Sequence, residues 1–198
     1  MFFEEFEAMN VHSYCVSYVN GPGRRFVLWT QGCSKGCKNC FNPETWNFEK
    51  NNILDVEEIF NIIESSDVDG VTITGGDPLE QWEEVSRLLF LLKEKDFKKG
   101  VILFSGYTFD EINNLGMSDL FFLVDVLIDG KFEEGKRISR GLRGSENQNI
   151  IYFSSKIKEE ELNFDQAVEV GIFNDKVYVT GFPSISRKFL KELGVNIK

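Results

Sequence analysis

Arg25-Phe26-Val27-Leu28-Trp29-Thr30-Gln31-Gly32-Cys33-Ser34-Lys35-Gly36-Cys37-Lys38-Asn39-Cys40 is the stretch on which the reading of the whole chain turns. Arg25 to Trp29 is a short apolar run of the length of a buried strand. Gly32 follows it, and three cysteines then stand at the spacing Cys-x3-Cys-x2-Cys. A strand that hands the chain to a chemically loaded loop belongs to open α/β sheets, whose ligands gather at the carboxyl ends of the strands.

Outward from there the alternation repeats. Asp55 opens a helix, with Glu58 at capping-box spacing and Ile59, Phe60, Ile62 and Ile63 on its apolar face. Gly70-Val71-Thr72-Ile73-Thr74 is a β-branched strand ending at Gly75-Gly76. Trp82, Val85, Leu88, Leu89 and Leu92 follow at helical spacing, and Val101 to Phe104 makes the next strand. Thr108 with Glu111 opens a short helix that Gly116 closes. Leu123 to Ile128 reads as a strand, Asn149 to Phe153 as the last of the series, and Val11 to Tyr18 as an edge strand.

This order predicts an α/β fold with a parallel sheet and right-handed crossovers. Chemistry is then expected at Gln31 to Cys40, Gly75 to Pro78, Ser105 to Tyr107 and Asp129 to Lys131. The tail differs: Glu169 to Phe173, the pair Asn174-Asp175 and Lys176 to Thr180 predict a β-hairpin with a two-residue turn. Ser184 caps a final helix carrying Ile185, Phe189, Leu190 and Leu193. Together they form a small hairpin-plus-helix appendage.

The 198 residues are 42% hydrophobic and 27% charged, the balance of an ordinary globular domain. No apolar run approaches the ~20 residues that cross a bilayer, so no membrane association is expected. With 22 basic and 32 acidic residues the net charge is −10, which argues against a nucleic-acid partner. Met1 to Glu7 is acidic where a signal peptide carries positive charge, and the expected location is the cytoplasm. In a reducing compartment a tight cysteine cluster reads as metal-binding or catalytic.

Three thiolates on one glycine-containing loop can hold three corners of a [4Fe–4S] cube, leaving one iron open to a substrate. The rival is structural zinc, which wants four protein ligands and would recruit His12 or Cys15. Apart from that, His12 reads as a structural residue and Cys15 as a buried apolar one.

Cys33, Cys37 and Cys40 on the loop after a first strand resemble the radical S-adenosylmethionine (SAM) superfamily. Longer segments narrow the resemblance. Gly21 to Cys33, Cys40 to Trp46, Ser105 to Thr108, Leu127 to Phe132 and Arg143 to Gln148 are similar to the activating proteins of anaerobic ribonucleotide reductase. The resemblance implies a partial (β/α) barrel over residues 1–154, with residues 155–198 as an extension and not an independent domain. It implies a [4Fe–4S] cluster on the three cysteines, with the SAM amino and carboxylate groups on the fourth iron. Reductive cleavage of SAM then gives methionine and a 5′-deoxyadenosyl radical, which in the activases removes a hydrogen from a backbone glycine of a partner. The implied partners are a large glycyl-radical enzyme, first of all anaerobic ribonucleotide reductase, and an electron donor such as flavodoxin or ferredoxin.

Gly75-Gly76-Asp77-Pro78 stands where the superfamily has Gly-Gly-Glu-Pro, which receives the SAM amino group. The same turn also reads as a plain strand-to-helix link with Pro at the helix start. Ser105 and Asp129 are further cofactor-binding candidates at the mouth, beside Tyr107 and Lys131, and capping is the alternative role for each. Asn39 stands where many superfamily members carry an aromatic, so the resemblance assigns no residue to adenine. Arg143 to Gln148, near Lys136, Arg137 and Arg140, is read as a SAM contact, a partner contact or a solvated loop. Two other functions stay open: a radical SAM enzyme acting on another protein or a small molecule, and a non-catalytic iron–sulfur or zinc module.

Overall fold

A computed structural model of the chain describes residues 8–95, 97–173 and 176–182. β1 (Ala8–Ser17) runs antiparallel to β2 (Arg25–Thr30), with Val11 opposite Thr30 and Ser17 opposite Arg25. β3 (Asn52–Asp55) pairs with the other side of β1. α1 (Val56–Ser65) starts at Asp55, whose carboxylate accepts the Glu57 N–H at 2.9 Å and so satisfies an orphan donor of the first turn. β4 (Gly70–Gly75), α2 (Trp82–Lys93) and β5 (Val101–Phe104) follow as the periodicity predicts. α3 (Phe109–Asn114) carries the full Thr108–Glu111 capping box. A short helix α4 (Leu120–Leu123), β6 (Val126–Asp129) and β7 (Asn149–Tyr152) complete the main sheet.

Its order is β3-β1-β2-β4-β5-β6-β7. The pairs β2–β4, β4–β5 and β5–β6 are parallel, while β1, β3 and β7 join antiparallel. The fold is therefore mixed α/β with a seven-stranded sheet: the expected parallel sheet is its β2-β4-β5-β6 centre, and the antiparallel flanks correct the rest of that expectation. β7 returns to β6 through the 130–148 loop, without the crossover helix that a parallel pair requires. Two further corrections follow. Leu123 belongs to α4 and not to a strand, because the contiguous apolar run from Leu120 to Val124 has no period to separate the two. The expected edge strand Val11 to Tyr18 is β1, which begins earlier, at Ala8; β3 covers only Ala8 to Val11, and among the described residues the stretch from His12 on keeps its edge.

Alternation along the strands builds two apolar layers. Val101, Leu103 and Leu127 pack under the helices with Ile59, Ile63, Val85, Leu88 and Leu92. Ile102, Val126 and Ile128 face the other side, where Leu142, Ile157, Leu162 and Phe182 cover them. At the amino ends of the strands the buried Arg25 spreads its guanidinium over the Lys99 carbonyl at 2.8 Å and the Gly100 carbonyl at 2.9 Å. Its Nε donates to Thr72 Oγ1 at 2.6 Å, so β2, β4 and β5 start from one fixed point.

The tail forms the separate hairpin β8 (Val168–Phe173) and β9 (Lys176–Gly181), in the predicted register of Phe173 opposite Lys176. The expected turn pair Asn174-Asp175, the helix opened by Ser184 and the acidic Met1 to Glu7 lie outside the described residues. No helix among the described residues is long and apolar enough to cross a membrane.

Candidate iron–sulfur and cofactor site

The carboxyl ends of the parallel strands lie side by side, Thr30 opposite Gly75 and Phe104 opposite Ile128. Each then releases its chain into one of the predicted segments. The cysteine loop leaves β2 and turns through two left-handed residues, Gly36 at φ 59° and Asn39 at φ 54°. Asparagine is among the few side chains that tolerate this conformation, which gives Asn39 a backbone reason to be there.

Two carboxylates pin the loop. Glu80 Oε1 accepts the Ser34 N–H at 3.2 Å, the Ser34 hydroxyl, and the Tyr107 hydroxyl at 3.3 Å. On the other flank Glu134 accepts from the Asn39 amide and pairs with Lys38 at 3.7 Å. Neither carboxylate was visible as a site residue in the sequence, since Ser34 and Glu80 are 46 positions apart. Gln31, inside the quoted motif, is a third anchor: its Nε2 donates to the Asn47 carbonyl at 2.8 Å.

Cys33, Cys37 and Cys40 are half-buried and lie within electrostatic range of one another. Burial pushes the Cys33 thiol up to about 11, against the pull of the Lys35 backbone. Burial also raises Cys37, while the Phe132 backbone and Lys131 favour its thiolate. The Asn42 N–H donates to Cys40 Sγ at 3.4 Å. Among the described residues no three His, Cys, Asp or Glu side chains are gathered closely enough to hold one metal ion. The donor chemistry itself fits an iron–sulfur cluster: three soft thiols on one loop, backbone donors aimed at the sulfurs, and a cation beside them. The two side chains that would complete a zinc site are engaged elsewhere. His12 Nδ1 bonds Gln31 Oε1 at 2.9 Å, and Cys15 sits opposite Val27 in the sheet, with its thiol raised to about 12 by burial and by Glu169.

Gly75 to Asp77 packs directly on this loop. The Gly76 N–H donates to the Thr30 carbonyl at 2.8 Å and the Asp77 N–H to the Gly32 carbonyl at 2.8 Å. Gly75, at φ +115°, has no room for a side chain, since a Cβ would lie 2.4 Å from the Thr30 nitrogen. The turn also has its plain structural role: Pro78 starts a 3₁₀ helix, and Asp77 Oδ1 caps it through the Leu79 N–H at 3.1 Å. Asp77 is buried, and its carboxylate accepts from Ser105 Oγ at 2.9 Å and the Gly106 N–H at 2.8 Å. Burial nevertheless pushes its pKa up to about 6. Asp77 and Ser105 are thus one network beside Cys33. Lys35 arches over the Tyr107 ring, with Nζ 2.9 Å from its centroid, and its charge acts on Asp77.

Asp129 is buried one strand further, and its carboxylate accepts from the Phe109 N–H at 2.6 Å and the Asn149 amide at 2.8 Å. It organises the mouth and does not touch the Asp77 network. Gln148 is spent inside its own loop, accepting from the Gly144 N–H at 2.8 Å and donating to the Gly130 carbonyl at 2.8 Å. Arg143 likewise donates to the Gln148 carbonyl at 3.0 Å. Asn147 donates to the Lys131 carbonyl at 2.8 Å, while its buried Oδ1 meets no donor among the described residues.

A family model described as a 4Fe-4S single cluster domain matches residues 19–151. The chain is 37% identical over 142 residues to the anaerobic ribonucleoside-triphosphate reductase-activating protein of Enterobacteria phage T4, covering 69% of this chain and 89% of that one. The proteins of the same name from Haemophilus influenzae and Escherichia coli K12 are 34% identical over 148 residues and 33% over 149. Those matches cover 71% of this chain in both cases, and 95% and 96% of the relatives. The loop that carries the three cysteines falls inside the matched region, and the chain belongs to the family of anaerobic ribonucleoside-triphosphate reductase-activating proteins.

Proposed function

We propose that this protein is a radical SAM activase that generates a glycyl radical on an anaerobic ribonucleotide reductase. In this reading Cys33, Cys37 and Cys40 hold a [4Fe–4S] cluster, Gly75, Gly76, Asp77 and Ser105 form the SAM side of the pocket, and Asp129 orders the mouth beside it through Phe109 and Asn149. The observation that carries it is the Asp77 N–H on the Gly32 carbonyl at 2.8 Å, which locks the carboxylate-bearing turn to the residue before Cys33. When bound, the cluster supplies the electron that cleaves SAM.

The chain's own residues do the rest. Asp77, ionised above about pH 6, offers a buried counter-charge to an ammonium group. The Ser105 hydroxyl and the Gly106 N–H hold that carboxylate in one orientation. Asn147 Oδ1 is an unmet acceptor at the mouth. Lys35, stacked on the Tyr107 ring, lies on the solvent side of the Asp77 carboxylate in this reading. In this reading the parallel strands β2, β4, β5 and β6 with their helices are the partial (β/α) barrel, a reading supported by their parallel pairing. Residues 1–154 form the radical SAM core and residues 155–198 its extension. A reduced flavodoxin or ferredoxin in the cytoplasm is the electron source in this reading.

The test is anaerobic loading with iron and sulfide, followed by SAM and a reductant, with and without anaerobic ribonucleotide reductase. The expected products are 5′-deoxyadenosine and a glycyl radical seen by electron paramagnetic resonance. Deoxyadenosine without a radical on the reductase would assign the chain to a different substrate. Intact SAM under all conditions would overturn the reading.

A further inference from the structure

The family match stops at residue 151, and 69–71% of this chain accounts for 89–96% of the relatives compared above. The residues after 151 nevertheless pack on the main sheet. Ile157, Leu162 and Phe182 are buried in the layer opposite the helices, against Ile102, Val126 and Ile128. The extension also grips the loop before β7. Gly141 donates its N–H to the Phe164 carbonyl at 2.7 Å, and Gln166 Nε2 donates to the Arg143 carbonyl at 2.8 Å.

From that layer Phe182 reaches the cysteine loop. Its ring meets Phe41 edge to face, with centroids 5.8 Å apart at 79°. Phe41 is the residue after Cys40, and its other neighbours are Phe132 at 4.9 Å and the Arg137 guanidinium at 4.8 Å. Gly144 closes the socket, since a Cβ there would lie 2.7 Å from the Phe41 ring. Both flanks of this aromatic set touch thiols: the Asn42 N–H beyond Phe41 donates to Cys40 at 3.4 Å, and the Phe132 backbone hydrogen-bonds Cys37.

We propose that the extension is a positioning element for the cluster loop, acting through Phe182 on Phe41. The proposal rests on the cluster assignment made above. Phe182 touches no reacting group; it completes a rigid socket that keeps Cys37 and Cys40 at a fixed separation. Apolar cover on that side also shields the cysteine loop from solvent entering beneath it. An aromatic contact of this kind has the strength to matter for a loop but not for the whole fold.

The test is the rate at which the loaded full-length protein loses its cluster in air, read by absorbance and by remaining iron, without SAM or partner. Phe182→Ala should accelerate loss roughly three- to tenfold, the range that one aromatic pair allows. Leu162→Ala removes a side chain from the same buried layer with no ring contact to Phe41, and should change the rate by less than about twofold at a comparable drop in Tm. Phe182→Leu keeps apolar bulk and should restore most of the retention, which covers the case in which Phe182→Ala does not fold. The double variant with Phe41→Ala should be no worse than Phe41→Ala alone. Equal acceleration in Phe182→Ala and Leu162→Ala, or none in Phe182→Ala, would overturn the proposal. A wild-type protein that loads no cluster would instead overturn the activase reading, and the positioning role with it.

Discussion

A β-carbon on Gly76 would lie 2.1 Å from the carbonyl oxygen of Gly32. The candidate SAM turn and the cysteine loop therefore meet backbone to backbone, with no side chain between them. Gly76→Ala must push the two apart, so SAM binding and iron retention should fall together. Gly36 is the contrast. It has φ +59°, but a β-carbon there would meet nothing within 4 Å, so Gly36→Ala costs only the left-handed penalty of about 1–2 kcal/mol. Iron per chain and SAM affinity, measured on both variants, check this. Normal iron and SAM binding in Gly76→Ala would show that the close approach is dispensable.

Glu80 gathers Ser34 and Tyr107 onto one carboxylate oxygen. Glu80→Ala should cost about 1.5–3 kcal/mol of stability, the range for hydrogen bonds to a charged group. Its larger effect should be on the loop: faster cluster loss and a broader range of cluster environments in the electron paramagnetic resonance spectrum. Glu80→Gln keeps an acceptor and should lie between. A Glu80→Ala protein with unchanged cluster lifetime would remove the latch from the site.

Asp77 sets a pH dependence whose sign follows from burial. Its folded pKa of about 6 lies above the ordinary aspartate value, so between about pH 4 and pH 6 the folded chain binds this proton more than the unfolded chain does. Its contribution to stability falls as pH rises through that window and stays lost above it. An ammonium ligand prefers the ionised form, so SAM should bind more tightly as pH rises through about 6. Anaerobic SAM titrations at ~pH 5 and ~pH 8 should differ by roughly tenfold in the wild type and by much less in Asp77→Ala. The same step in Asp77→Ala would assign the titration to another group.

Much of this was legible in the residues, for reasons that can be named. β2, β4 and β5 are short apolar runs ending in glycine or a polar turn; α1 carries a cap and a helical stripe together, α2 a stripe and α3 a capping box. β3 was hidden because Asn52 to Asp55 is four residues with no alternation; pairing with β1 alone makes it a strand. The three cysteines, the Gly75 to Asp77 turn and Ser105 were legible as neighbours, since the ends of parallel strands lie side by side in this class of sheet. Glu80, Glu134 and the Phe41–Phe182 contact were not, since each joins residues distant in sequence by a single side chain. Asp129 shows the converse: a conspicuous strand-end acid whose oxygens are already taken by Phe109 and Asn149.

The assignment stands or falls on the cysteines acting as a set of three while Cys15 stands apart. The most direct measurement is electron paramagnetic resonance of anaerobic ribonucleotide reductase mixed with reduced, iron-loaded protein and SAM, with 5′-deoxyadenosine assayed in the same sample. Wild type and Cys15→Ala should give a glycyl radical and deoxyadenosine in step, and Cys33→Ala, Cys37→Ala and Cys40→Ala should give neither. A glycyl radical from any of those three variants, or its absence with the wild type while the reductase accepts a radical from one of the activating proteins that this chain resembles, would contradict it.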